Sequence, residues 1–241
     1  MFKAFRRPRK SLPRSIPARL AWWLGKVVVW FIALSIGMTV LYKWVPVPIT
    51  LTMIVDPSGF EKSWTPLSRI DRNMVSAVIA GEDAKFCTHT GFDAEAIEKA
   101  LERNASGRRL RGGSTISQQT AKNVFLWQGT GWTRYARKGL EVWFTFLIEN
   151  IWGKRRIMEV YLNVAETGIG TYGVEAGAQR YFKHSAAQLS RVEAARIAAA
   201  LPAPKRREVA SPGGFTRRHG NVIAARSGVV RSEALDACVY R

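Results

Sequence analysis

Gly112-Gly113-Ser114-Thr115-Ile116-Ser117-Gln118-Gln119, followed at once by Thr120-Ala121-Lys122-Asn123, is the stretch on which the reading of this 241-residue chain turns. Adjacent glycines let a backbone take φ > 0 and come close to a ligand. The residues behind them offer hydroxyl and amide groups that can grip an oxygen-rich molecule. A bare Gly-Gly-Ser-Thr is ordinarily a surface turn entering a helix. Here the octapeptide follows an adjacent acidic pair, Glu82-Asp83, and a helix is predicted to start within 117–123.

Helical periodicity dominates outward from that stretch. Ser68-x-x-Asp71 resembles a capping box opening a helix with Met74, Val75, Val78 and Ile79 at helical spacing. That helix is predicted to end at Gly81, leaving Glu82 just past its C-terminus. Asp93 can cap the next helix, with Ile97 and Leu101 on its apolar stripe, and the basic turn Arg108-Arg109-Leu110-Arg111 leads into the double glycine. Residues 133–152 read as a long helix and 155–165 as another. Tyr172-Gly173-Val174-Glu175-Ala176 looks like a turn entering a helix, and Ser190-x-x-Glu193 is a second capping box opening an alanine-rich helix that stops at Pro202. Pro46, Pro48, Pro57 and Pro66 mark an extended connector with a short strand over 49–55. The tail from Lys205 is basic and less patterned, and strand signals are weak throughout. The fold class is therefore mainly α.

The front of the chain is different. Residues 1–26 hold Lys3, Arg6, Arg7, Arg9, Lys10, Arg14, Arg19 and Lys26 and no acid, and the run from Val27 to Tyr42 has no charge. Extended to residues 22–45, that run is long enough for a ~30 Å hydrocarbon core. Trp22 and Trp23 at one end, and Tyr42 and Trp44 at the other, fit the two headgroup layers, where Lys26 and Lys43 can snorkel. A cleaved signal peptide or a buried helix are the competing readings; no small-x-small cleavage site follows the run. The positive-inside rule keeps a basic tail, 1–21, in the cytoplasm and places everything after Val45 across the membrane, which in a bacterium is the periplasmic side of the inner membrane. The formal net charge of +19 invites a nucleic-acid reading. A domain outside the cytoplasm meets anionic headgroups and phosphates instead, so no nucleic acid is expected. Cys87 and Cys238 are too few for a disulfide scaffold; they can pair in an oxidising compartment, but the sequence does not decide it.

Two constellations carry chemistry. Adjacent carboxylates repel, and partial burial raises the pKa of one of them, which suits Glu82 to general acid or base work. Glu82-Asp83 continues through Phe86, His89 and Gly91 as E-D-x-x-F-x-x-H-x-G. The plain alternative is a solvated helix end. On the long helix, Arg134, Arg137, Lys138 and Glu141 fall at i, i+3, i+4 and i+7 and share one face of an otherwise largely apolar segment. Three cations beside one carboxylate make a clamp for phosphate or pyrophosphate, unless they are a solvated face of ordinary ion pairs. Glu159, Tyr161 and Asn163 read as mostly structural. His89, His184 and His219 stand far apart, so no zinc site is expected, and there is no Walker loop or Rossmann fingerprint.

These blocks, in this order, resemble the peptidoglycan glycosyltransferases of glycosyltransferase family 51. The likeness rests on Glu82-Asp83-x-x-Phe86-x-x-His89-x-Gly91, on 112–119 with Lys122-Asn123, and on Arg137-Lys138-x-x-Glu141. Ile157-Met158-Glu159-x-Tyr161-Leu162-Asn163 and Tyr172-Gly173-Val174-Glu175-Ala176-x-Ala178-Gln179-x-Tyr181-Phe182 complete it. It spans about Leu67 to Pro202, and with no penicillin-binding domain downstream it points to the monofunctional members. Ser117 stands where many members have Thr, and Cys87 is an unusual thiol in the first block.

The resemblance implies a lysozyme-like fold with a small membrane-dipping jaw, divided here into connector 46–66 and glycosyltransferase domain 67–241. It implies polymerisation of lipid II into β-1,4-linked glycan with release of undecaprenyl pyrophosphate. Glu82 matches the family's base and Glu141 its second glutamate. Lys122, Arg137 and Lys138 match positions that stabilise the pyrophosphate, joined by Arg134 on helical spacing alone. Ser114, Thr115, Gln118 and Gln119 are expected to bind the donor, with Asp83 and His89 beside them. Phe125, Leu126, Trp127 and Trp132 are expected to dip into the membrane. No cofactor is required, although some members are helped by a divalent cation, Mg or Mn, that Asp83 or Glu141 would touch. The expected partners are lipid II, the lipid-linked nascent glycan, the membrane and proteins of wall synthesis or division. A membrane-anchored lysozyme-like lytic enzyme acting on finished peptidoglycan is the nearest alternative, using its carboxylates to protonate a glycosidic oxygen. A non-catalytic anchored scaffold is the third.

Overall fold

The computed structural model describes residues 15–95, 97, 98, 102, 113–129 and 131–240. The tail 1–14, Leu101, the basic turn 108–111 and Gly112 lie outside the described residues. The chain forms two compact units, residues 1–39 and 40–241.

Helix α1 (Ile16–Trp44) has 29 residues and is long and apolar enough to cross a membrane. It starts earlier than the predicted Trp22, with Pro17 in its first turn, where a missing N–H leaves no helical bond unmade. Ser35 and Thr39 donate their hydroxyls to the Ile32 and Ser35 carbonyls (2.9 and 2.7 Å), which removes the cost of carrying them among apolar residues. Lys26 lies over the Trp22 ring at 3.7 Å, and Lys43 over Trp44 at 5.3 Å.

The second unit is mainly α. Where a strand over 49–55 was predicted, the chain makes a single turn, α2 (Leu51–Ile54). The Thr50 hydroxyl caps it by accepting from the Met53 N–H, and Met53 is buried, so local capping overrides the apolar run. Residues 67–69 form a 3₁₀ turn, and α3 (Arg72–Glu82) begins four residues later than the predicted Ser68. Asp71 is the true cap, accepting from the Asn73 N–H at 2.7 Å. Every residue from Met74 to Ala80 is buried, so α3 is surrounded on all sides and Glu82 is its last residue. Ala94 and Glu95 are helical, and the Ile97 N–H donates to the Asp93 carbonyl, in line with a helix opening there.

Then come α4 (Ile116–Phe125), α5 (Thr133–Ile151) and α6 (Gly153–Val164), close to their predicted bounds. Phe125 joins them, stacking on Phe144 at 4.5 Å and lying near Trp152 and Tyr42. β1 (Glu61–Lys62), β2 (Glu166–Gly168) and β3 (Thr171–Tyr172) make a small sheet in the order β1-β3-β2, the first pair parallel and the second antiparallel. α7 (Val174–Phe182) and α8 (Arg191–Ala200) follow, and the predicted Ser190–Glu193 capping box is formed in full.

The unpatterned tail is a surprise: it contains α9 (Gly214–Ser232), a helix of 19 residues, and α10 (Ala237–Tyr240). Its buried face is Gly220, Ile223, Ser227 and Val230, mostly small residues that leave little hydrophobic signal. Small residues let α3, α8 and α9 pack together. A Cβ on Gly81 would lie 3.0 Å from Ile223 Cδ1 and 4.0 Å from Ala198 Cβ, so the glycine is what admits this three-helix contact one residue before Glu82. The connector is tied to α6: Asn163 pairs with the backbone of Thr65 in both directions (2.7 and 2.8 Å), Glu159 accepts from the Leu67 N–H, and Arg156 holds the Tyr42 and Val45 carbonyls.

Cys87 and Cys238 form a disulfide with Cα atoms 5.5 Å apart. Beside it, Arg72 grips buried Asp236 through two 2.7 Å bonds.

Candidate active site

Glu82 ends a helix whose residues from Met74 to Ala80 are all buried, and its orientation is set by a neutral relay. Gln119 Nε2 donates to Glu82 Oε2 at 2.8 Å, and Gln119 Oε1 accepts from the Tyr161 hydroxyl at 3.2 Å. The relay fixes the amide's orientation and gives Tyr161, read from sequence as structural, a place in the site. Burial raises the Glu82 pKa; the Gln119 hydrogen bond and the charges of Arg207 and Lys122 pull it back, while Asp83 pushes it up.

Asp83 faces away from that relay. It accepts from His89 Nε2 at 2.9 and 3.0 Å and from the Ile116 N–H at 3.0 Å. His89 Nδ1 accepts from the Gly91 N–H, so the proton sits on Nε2, the nitrogen facing Asp83. Thr115 and Gln118 form a capping box on α4, and the Thr115 hydroxyl also donates to the Gly91 carbonyl at 2.6 Å. Gly91 has φ +94°, and a Cβ there would stand 2.8 Å from Thr145 and 2.9 Å from Glu149. Asp83, His89, Gly91, Thr115 and Gln118 thus tie the Glu82 segment to α4 through side-chain and backbone bonds among themselves. Thr115 and Gln118 were expected to bind the donor; the Thr-x-x-Gln spacing is the signal that could have marked them as a cap instead.

Three of the four residues predicted to share the cationic face, Arg137, Lys138 and Glu141, come together. Glu141 is buried and accepts from Arg137 at 2.8 Å and from Lys138. Lys138 also reaches Ser114 Oγ at 3.5 Å. Arg137 Nε is buried with no hydrogen-bond partner among the described residues. Lys122 links the two carboxylates: burial lowers its pKa, Glu141 and Glu82 raise it, and Arg137 and Lys138 lower it. Three cations share the charge of Glu141, which leaves an uncompensated positive field. Arg134 is exposed and has no ion pair among the described residues, so it lies outside this cluster.

Sequence reasoning missed Arg207. It donates to the Ala199 carbonyl at 2.6 Å, and its guanidinium lies 5.1 Å from the Phe215 ring centroid. Phe215 belongs to α9, where the sequence pattern was weakest. A cavity of about 620 Å³ opens beside the relay, lined by Gln119, Lys122 and Tyr161 together with Asp56, Glu166 and Lys205.

The two carboxylates offered to a divalent cation do not fit one. Both Asp83 oxygens are taken by His89 and the Ile116 N–H, and both Glu141 oxygens by cations. Among the described residues no group of three or more His, Cys, Asp or Glu is arranged to hold a metal.

The Transglycosylase family model matches residues 50–227. A biosynthetic peptidoglycan transglycosylase from Caulobacter vibrioides is 52% identical over 203 residues, covering 83% of this chain and 87% of its own length. Proteins of the same description from Bdellovibrio bacteriovorus and Rhodospirillum centenum are 45% and 44% identical, covering 89% and 93% of this chain and 88% and 98% of their own. On this breadth of agreement, the chain belongs to the transglycosylase family.

Proposed function

We propose that this site polymerises lipid II into β-1,4-linked glycan for the bacterial cell wall, with Glu82 as base and the Glu141 face as the pyrophosphate clamp. The observation that carries it is the pairing of a buried carboxylate held by a neutral amide with a cationic cluster that keeps an unpartnered buried donor, Arg137 Nε. Glu82 takes the proton from the acceptor's 4-hydroxyl as that oxygen attacks the donor's anomeric carbon. The bond from that carbon to pyrophosphate breaks, and its electron pair leaves on the pyrophosphate oxygen. Lys122, Arg137 and Lys138 meet the developing charge in a site where donors act at full strength. Glu141 keeps Arg137 and Lys138 aimed. Ser114 and Gln119 are the donor-loop groups left to contact substrate, while Asp83, His89, Thr115 and Gln118 hold the frame. Nothing here needs a glycosidic oxygen to be protonated, which sets the reading apart from a lytic enzyme.

The same reading takes α1 as a single-pass anchor in the inner membrane, with tail 1–21 in the cytoplasm, connector 46–66 and the catalytic domain 67–241 in the periplasm. The Cys87–Cys238 bond supports that side, because disulfides persist in oxidising compartments. The interfacial residues are revised. Leu126 is buried and Phe125 and Trp127 pack on the core, whereas Trp132, Tyr135, Val142 and Phe146 are exposed on the face of α5 opposite Glu141. That apolar stripe is the proposed membrane-dipping jaw. Proteins that cross-link or direct new strands belong to the reading as partners, since a polymerase alone leaves strands unjoined.

Purified full-length protein given lipid II should lengthen glycan, and Glu82→Gln should lower the rate by about 10²–10⁴-fold while remaining folded. Cleavage of finished peptidoglycan with lipid II left untouched would overturn the reading.

A further inference from the structure

Among the described residues the fold leaves two buried side-chain atoms without a hydrogen-bond partner: the donor Arg137 Nε and the acceptor Glu166 Oε1. The first is absorbed by the pyrophosphate clamp. The second sits elsewhere, at the start of β2, and lines the same cavity as Gln119 and Lys122. Its neighbours do not satisfy it. Lys205 pairs with Oε1 by charge at 3.5 Å without hydrogen-bonding it, and makes its short bond to Asp56 at 2.9 Å. Asp56 is itself complete, accepting from Lys205, from the Tyr172 hydroxyl at 2.7 Å and from the Ser58 N–H at 3.0 Å. These bonds outweigh burial and hold the Asp56 carboxyl down at about 2, so it is the charge that fixes Lys205 in place.

A buried acceptor left unbonded is costly, so Glu166 Oε1 is an open demand for a donor. The space facing it is about 620 Å³, within the range of ligand sites and far beyond a single water. Its wall also carries Val55, Leu201, Pro202 and Pro204, apolar surfaces beside polar ones, as the two kinds of face of a sugar ring require. Burial pushes the Glu166 carboxyl up and the Lys205 charge pulls it down. A sugar hydroxyl, donor and acceptor at once, suits it in either state.

We propose that Glu166, steadied by Lys205 and Asp56, is a recognition residue for a second sugar unit: it accepts a hydroxyl or amide hydrogen from the hexosamine next to the one reacting at Glu82. The assignment rests on the glycan-polymerising reading and adds a subsite in the same cleft. Glu166 binds substrate and takes no part in bond making.

The test is initial-rate kinetics of the full chain with lipid II for Glu166→Ala and Glu166→Gln. Glu166→Ala should raise KM about tenfold or more with kcat changed far less, and Glu166→Gln, which keeps an acceptor at the same position, should recover most of the loss. Melting temperatures within a few degrees of the unmodified protein separate this from unfolding. If Glu166→Ala melts early, Glu166→Asp, which withdraws the carboxylate by one methylene, should show the same KM rise. An unchanged KM in a folded Ala or Asp variant overturns the subsite alone. An unmodified protein that leaves lipid II unpolymerised overturns the reading beneath it.

Discussion

As the proposed base, Glu82 would have to be ionised to take a proton, yet burial disfavours its charge, and the residues around it decide the balance. Gln119, Arg207 and Lys122 pull its pKa down, and Asp83 adds to the upward push of burial. A base with a raised pKa is active above that value and loses activity as pH falls through it, so the acid limb of the rate profile should lie above the ordinary carboxylate range. Removing Arg207 deletes one of the downward pulls. Arg207→Met should therefore move the acid limb to higher pH while leaving the plateau rate at high pH nearly intact. A limb that stays in place would exclude Arg207 from the electrostatics of Glu82. Lys122 gives the opposite sign: burial lowers its pKa, so its charge is lost as pH rises through a value below that of an ordinary lysine. The alkaline limb should come early, and Lys122→Arg, whose guanidinium stays charged, should push it away in the same pH–rate series.

At the scale of elements, the Thr115–Gln118 pair shows why helix caps and ligand loops are hard to tell apart by residue type. Both need hydroxyls and amides near a helix N-terminus. Here the Thr115 hydroxyl accepts from the Gln118 N–H at 3.2 Å and donates to the Gly91 carbonyl, which leaves it no hydrogen to donate to a ligand. Thr115→Ala should lower stability by about 1–2 kcal/mol, and Thr115→Ser should restore most of it. For a domain of this size that is a melting shift of roughly 2–8 °C, readable by circular dichroism. Equal melting of both variants would return Thr115 to the ligand-binding set. The long helices α4, α5 and α6 were legible because large apolar residues recur on one face. α9 was not, because its buried face is built from Gly220 and Ser227 as much as from Ile223 and Val230. α2 was misread because a run of apolar residues looks alike in a short strand and a single helical turn, and only the Thr50 cap decides between them.

Over the whole molecule, the order of motifs and the apolar N-terminal helix were readable locally, whereas the ties that close the second unit were not. Glu166, Arg207 and the Arg72–Asp236 pair depend on residues brought together across the chain, the last over 164 positions, and no local period marks such pairs. The Cys87–Cys238 bond spans 151 residues and joins the Glu82 segment to α10. On the chain-entropy account, closing a loop of that length removes about 5 kcal/mol of freedom from the unfolded state, near the upper end of what a disulfide contributes. Cys87→Ala with Cys238→Ala should therefore lower the melting temperature by roughly 10 °C or more in detergent, and reductant should shift the unmodified protein but not the double variant. Because the thiols can pair only outside a reducing compartment, the same bond reports topology. Alkylating protein taken directly from cells should tag no thiol before reduction and both after it. Two free thiols at the outset would remove the disulfide's support for a periplasmic domain, whatever the catalytic assays gave.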